Sequence, residues 1–152
     1  MVFYYSGSVK INELCPASEL IHELQKAKHI EDFISANSNE FTDYTLPEYL
    51  EKLLDAKKRT KADIIKASGL NQVYGYHIFS GDKNPSRNKV LAIALAFQLT
   101  LEETQYLLKY AQAKELYVRN KWDSIIIFAL NKQLTVMQTN QLLHELSEPM
   151  LE

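Results

Sequence analysis

Apolar residues recur at three- and four-residue steps along most of the chain, the period of helices that bury one stripe. Leu20, Ile21, Leu24, Ala27, Ile30, Phe33 and Ile34 keep this rhythm and predict an amphipathic helix from Pro16 to Ser35. Leu46, Tyr49, Leu50, Leu53 and Leu54 predict a second. Ile64 and Ile65 mark the inner face of a third helix, and Ile78 with Phe79 that of a fourth. Val90, Leu91, Ala94 and Leu95 predict a helix over 87–97, and the next should run from Thr100 to about Ala113. Ile125 to Leu130 is apolar all round, which suits a helix buried between neighbours. Only residues 1–11, rich in Tyr, Val and Phe, fit a short strand, or equally an arm that packs on another subunit. The expected fold class is all-α.

Capping residues mark where these helices begin and end. Thr45-Leu-Pro-Glu48 reads as a capping box with Pro in the first turn. Thr60 with Asp63 and Thr100 with Glu103 repeat the pattern. Lys57, Lys58 and Arg59 suit the negative end of a helix dipole. Ser68, Gly69 and Leu70 form a corner in which Gly69 suits a positive φ. Asn71 then caps the following helix and Gly81 stops it. Pro85 keeps Asn84 out of helical geometry, and Ser86 is placed to cap the helix after it. The polar stretch 35–45 reads as a connector.

A partial internal repeat follows. Residues 87–108 resemble residues 119–143, with Arg-Asn-Lys opening both copies and Leu-Thr beginning the second helix of each. Thr104, Leu107 and Leu108 correspond to Thr139, Leu142 and Leu143. Aligned on Arg-Asn-Lys, the second copy carries three extra residues. Each copy reads as a helical hairpin, the second stacked on the first. The expected organisation is an arm and amphipathic helix over 1–45, a five-helix domain over 46–113, and a C-terminal hairpin over 114–152.

Charge changes the picture more than composition does. The 46% hydrophobic content suffices for a core. No apolar run of roughly 18 residues and no signal-like start suggest a span or export. The single Cys15 fits a reducing cytoplasm. The net charge of −2 hides an uneven distribution. Residues 1–56 sum to −6, residues 57–89 to +6, and residues 90–152 to −2. The basic block coincides with the predicted helix pair around Gly69, a footprint that suits phosphate.

The sequence KADIIKASGLNQVYGYHIFSG at 61–81, followed by DKNPS, resembles the Cro/phage-repressor helix-turn-helix family, also called the xenobiotic-response-element family. ASGLN at 67–71, Ile78 and SGDKNPS at 80–86 carry the resemblance, which covers 46–113. It implies sequence-specific binding of double-stranded DNA in transcriptional regulation, by a homodimer, with the second helix of the motif in the major groove. By position, Gln72, Val73, Tyr74, Tyr76 and His77 would meet bases. Gln72 would pair with adenine, Val73 would touch a thymine methyl, and His77 would donate to guanine or phosphate. Lys58, Arg59, Lys61, Asn71, Lys83 and Arg87 would meet the backbone.

Two departures from the family pattern matter. The family usually has a small residue where Ile65 stands and Val or Ile where Gly75 stands, and the two positions pack together. Here the sizes are exchanged, which reads as a volume-conserving swap. Tyr74, Tyr76 and Phe79 also crowd the second helix, and tyrosines are favoured protein-interface anchors. The alternative is therefore an adaptor that keeps the fold but binds a protein with its acidic and aromatic surfaces. The N-terminal arm and segment over 1–45 and the C-terminal hairpin over 119–146 are the candidate dimer or partner surfaces. His22, His29, His77 and His144 are scattered, so no metal, cofactor or catalysis is expected. Glu102 and Glu103 read as first-turn and capping residues, and Trp122 and Phe128 as core or interface.

Overall fold

The computed structural model describes residues 17–41 and 44–151. The strand or arm expected at 1–11 and Cys15 lie outside the described residues. Among the described residues there are nine α-helices, one short 3-10 turn and no strand. The chain divides into two units, residues 1–43 and 44–152. The segments 46–113 and 114–152 fall in the same unit.

In the first unit, α1 (Ala17–Lys26) and α2 (Ile30–Ala36) replace the single helix expected from Pro16 to Ser35. His29 adopts an extended conformation between them. No Gly or Pro marks this break, and the apolar spacing resumes after it, so periodicity alone runs straight through. Neither helix buries a residue. Phe33 and Phe41 meet edge to face, their ring centroids 6.2 Å apart.

The second unit holds α3 (Leu46–Lys57), α4 (Lys61–Ser68), α5 (Gln72–Ser80), α6 (Arg87–Phe97), α7 (Leu101–Tyr110), α8 (Lys121–Asn131) and α9 (Val136–Glu145). The hub is α6, which touches α4, α7, α8 and α9. Every residue from Val90 to Phe97 is buried. Ala92, Ala94 and Ala96 bring little bulk to these contacts. Leu50, Leu53, Ile64, Ile78 and Leu107 complete the centre of the core.

Side chains close the helix starts, though the boxes expected at Thr45–Glu48 and Thr60–Asp63 are only half made, with no bond returned by the acidic residue. Thr45, Thr60 and Asn71 accept from the amides of Glu48, Asp63 and Tyr74. Ser86 occupies the cap position of α6, but its side chain makes no capping bond. Thr100 and Glu103 form a full reciprocal box. Glu103 is also buried. Its Oε1 accepts from Thr100 N at 2.9 Å and from Lys57 Nζ at 3.2 Å. Its Oε2 lies 3.2 Å from the same ammonium, close enough for charge but not aligned as a hydrogen bond. The carboxylate thus caps α7 and ties it to the end of α3.

The repeat is real in three dimensions, with a different register. Gln98 and Gln133 both take left-handed conformations, with φ of 59° and 55°. Leu99 N and Leu134 N then bond back to Ala94 O and Ala129 O. Thr135 forms a full box with Gln138, as Thr100 does with Glu103. Thr104 and Thr139 donate to the carbonyls of Thr100 and Thr135, each at 2.8 Å. Gln112 and Ser147 turn left-handed in the same way after α7 and α9. The Arg-Asn-Lys triplets do not correspond. Ser86 stands at the cap position of α6 just before its triplet, whereas Asn120, the middle of the second triplet, caps α8 through its side chain. Counted from cap to left-handed Gln, the second copy is one residue longer, not three. In α8, Ile125, Ile126, Ala129 and Leu130 are buried, but Phe128 is 49% exposed, so that helix is not enclosed all round.

Arg87 locks the two hairpins together. Its Nη1 and Nη2 donate to Oδ1 and Oδ2 of buried Asp123 at 3.1 and 2.9 Å. Nε and Nη2 also donate to the carbonyls of Lys114 and Glu115 at 2.7 and 3.1 Å. Tyr117 N adds a bond to Asp123 Oδ2 at 2.9 Å. Arg87→Met would leave the Asp123 charge buried without its partner. That change should destabilise the fold by about 3–5 kcal/mol in urea denaturation. Adding Asp123→Asn should recover part of the loss, and a single variant as stable as the parent would refute the role.

Candidate nucleic-acid interface

The site is built on α4, its corner and α5. Ser68 Oγ donates to Ile65 O at 2.7 Å and accepts from Leu70 N at 3.4 Å, which fixes the corner from inside. Gly69 takes a φ of +75°, the left-handed conformation expected for it. Asn71 begins α5 by accepting from Tyr74 N at 3.1 Å. Its side-chain oxygen is therefore engaged in the cap.

Contact between α4 and α5 centres on Ile65 and Gly75, both buried. A Cβ placed on Gly75 would lie 2.6 Å from Ile65 Cγ2 and 2.8 Å from Cγ1. Those atoms sit on the first branch of a stiff side chain and cannot swing away. The isoleucine occupies the space that a side chain at 75 would need, as the exchange of sizes in the sequence suggested.

With its inner side fixed in this way, α5 turns a defined set of residues outward. Val73 is 65% exposed and Tyr76 41%. Gln72 is exposed and His77 half-buried. Spacing of four residues places Gln72 beside Tyr76 and Val73 beside His77 on this side. Gln72 and Tyr76 also line a groove of about 450 Å³ against Ala62, Ile65 and Lys66 of α4. Tyr74 departs from the set. It lies under Lys89, whose Nζ is 5.4 Å from the ring centroid, and lines a separate cleft reaching α6 and α9. Of the five expected base contacts, four share a surface and Tyr74 points elsewhere.

The expected backbone contacts divide more sharply. The guanidinium of Arg87 holds Asp123 and the 114–115 carbonyls, so it is not available to a phosphate. Lys61 pairs with Glu51 at 2.8 Å, with both side chains at the surface. Lys57 is bound to Glu103. Lys58, Arg59 and Lys83 make no ion pair among the described residues, and neither does Lys66, which sequence reasoning passed over. Its position one turn before Gly69 is the signal the sequence holds, and the structure places it on the rim of the groove. The +6 of residues 57–89 is therefore reduced locally by three ion pairs with carboxylates from outside the block. No group of His, Cys, Asp and Glu suited to a metal occurs among the described residues.

The chain matches no family model, no curated protein and no solved structure.

The Ile65–Gly75 contact predicts strong coupling. Ile65→Ala alone should cost roughly 2–5 kcal/mol through the cavity it leaves. Gly75→Ala alone should also destabilise, because the added methyl overlaps Ile65. Combined, the two should cost clearly less than their sum in a double-mutant cycle followed by thermal melting. Simple additivity would show that the two positions do not share the space.

Proposed function

We propose that this chain is a sequence-specific DNA-binding transcriptional regulator of the Cro/phage-repressor helix-turn-helix kind, with α4 and α5 as the motif. In this reading α5 enters the major groove and the chain acts without catalysis. The observation that carries it is the outward side of α5. Gln72, Val73, Tyr76 and His77 stand together there on a helix held in place from behind by Ile65. Glutamine offers the paired donor and acceptor that suit adenine, and valine suits the thymine methyl. Lys66 and Lys83 lie on α4 and just beyond α5, while Lys58 and Arg59 lead into α4. Four cations that make no ion pair among the described residues thus flank the helix pair in sequence and are available to phosphate.

Single modules of this kind reach two half-sites as dimers. We place the self-association surface on the C-terminal hairpin. An apolar groove of about 400 Å³ runs there between α8 and α9, lined by Ile125, Phe128, Leu142 and Leu146.

The second reading, an adaptor that docks a protein on the same face, draws on a specific observation. Val73 and Tyr76 expose much apolar surface beside the groove floored by Ile65. The two readings separate under mutation. After selection of bound duplexes from a random pool, Gln72→Ala should lose about 1–3 kcal/mol on the selected site and accept any base at one position. Lys83→Ala should weaken selected and random duplexes alike. A pool that yields no enriched sequence, or two variants that behave identically, would favour the adaptor.

A further inference from the structure

The last turn of α5 holds a small polar relay that the reading above leaves unused. Gly81 turns the chain with a φ of +92°, and Lys83 N bonds back to His77 O at 3.1 Å. This brings Asp82 over the helix end. Its Oδ2 lies 3.2 Å from His77 Nδ1 and 3.1 Å from Ser80 Oγ. The Ser80 hydroxyl is also 3.1 Å from His77 O, so its single hydrogen is shared between two acceptors. Hydrogen bonds from His77 and Ser80, with the charge of Lys83 nearby, hold the Asp82 carboxyl below its ordinary value. A carboxylate whose value is depressed in the fold keeps these bonds at neutral pH and loses them only as the pH falls through that lowered value.

An ionised carboxylate can only accept, so the imidazole nitrogen facing it must donate. A neutral imidazole has one N–H. With that hydrogen on Nδ1, Nε2 is left as a bare acceptor. We propose that Asp82 is a positioning residue that fixes His77 in the Nδ1–H form, so that Nε2 accepts from an amino-bearing base edge in the major groove. Adenine N6 and cytosine N4 supply such donors, whereas guanine N7 and O6 and the phosphates do not. This revises the expectation that His77 donates to guanine or phosphate, and it rests on the DNA-binding reading of α5. Asp82 touches no base itself and acts through the ring it holds.

The test combines a spectroscopic signature with base choice. Long-range 1H–15N spectra at about pH 8.5, above the ordinary imidazole range, should show His77 Nδ1 protonated and Nε2 bare in the unmodified chain. Asp82→Asn supplies an amide N–H that can donate to Nδ1, so the ring should move to the Nε2–H form. In duplex selection at the same pH, one position should then shift from adenine or cytosine toward guanine or thymine, whose edges offer acceptors only, by roughly three- to tenfold, the worth of one hydrogen bond. In a His77→Ala background, Asp82→Asn should leave base choice unchanged, which separates the effect from simple removal of a negative charge. An unmodified ring already in the Nε2–H form overturns the inference, as does an unchanged preference in Asp82→Asn when the parent chain still selects duplexes. A parent chain that retains no duplex overturns the regulator reading beneath it.

Discussion

The approach of α5 to α4 is set by one steric fact: Ile65 fills the volume in which a side chain at 75 would stand. Space between two packed helices is finite, and protein interiors leave few voids. A large residue on α4 therefore demands none on α5. The conformational cost of a glycine inside a nine-residue helix, about 1 kcal/mol relative to alanine, is accepted in return. Everything turned outward on α5 inherits its position from this contact. Ile78 and Phe79 fix the same helix to the core from the inner side.

Charge is distributed by a second constraint. Buried carboxylates need partners, because removing a charge from water without compensation costs far more than one hydrogen bond returns. Glu103 and Asp123 are both almost wholly buried, and each takes a cation from the basic stretch, Lys57 and Arg87. These pairs hold α3 to α7 and α6 to α8. Within the basic stretch, Lys58, Arg59, Lys66 and Lys83 make no ion pair among the described residues, and they lie on or beside α4 and α5 in sequence. One block of basic sequence thus supplies both the partners of two buried carboxylates and the cations left without an ion pair beside α4 and α5.

Much of the helical layout was legible because it rests on local rules. A threonine or asparagine three residues before the amide it caps announces a helix start whatever lies around it, and Thr45, Thr60, Asn71, Thr100 and Thr135 all behave so. The size exchange at 65 and 75 was also legible, since the expected contact pair named both positions. What escaped depended on distant partners. Nothing near Arg87 reveals that Asp123 waits for it across 36 residues. Tyr74 follows the outward residues in sequence, yet helix geometry turns it toward Lys89. The matching Arg-Asn-Lys triplets misled because identical letters took different places relative to the caps. Asp82 was invisible as a partner of His77 until Gly81 folded the chain back.

In the proposed role, α5 and the basic side chains beside it meet a polyanion. The most direct measurement is the affinity of the intact chain for a random DNA duplex, followed by fluorescence anisotropy from about 50 to 200 mM salt. If Lys58, Arg59, Lys66 and Lys83 all reach phosphates, log affinity should fall by roughly 3–4 per log unit of salt for each protomer bound. No binding at the lowest salt, or an affinity indifferent to salt, would contradict it.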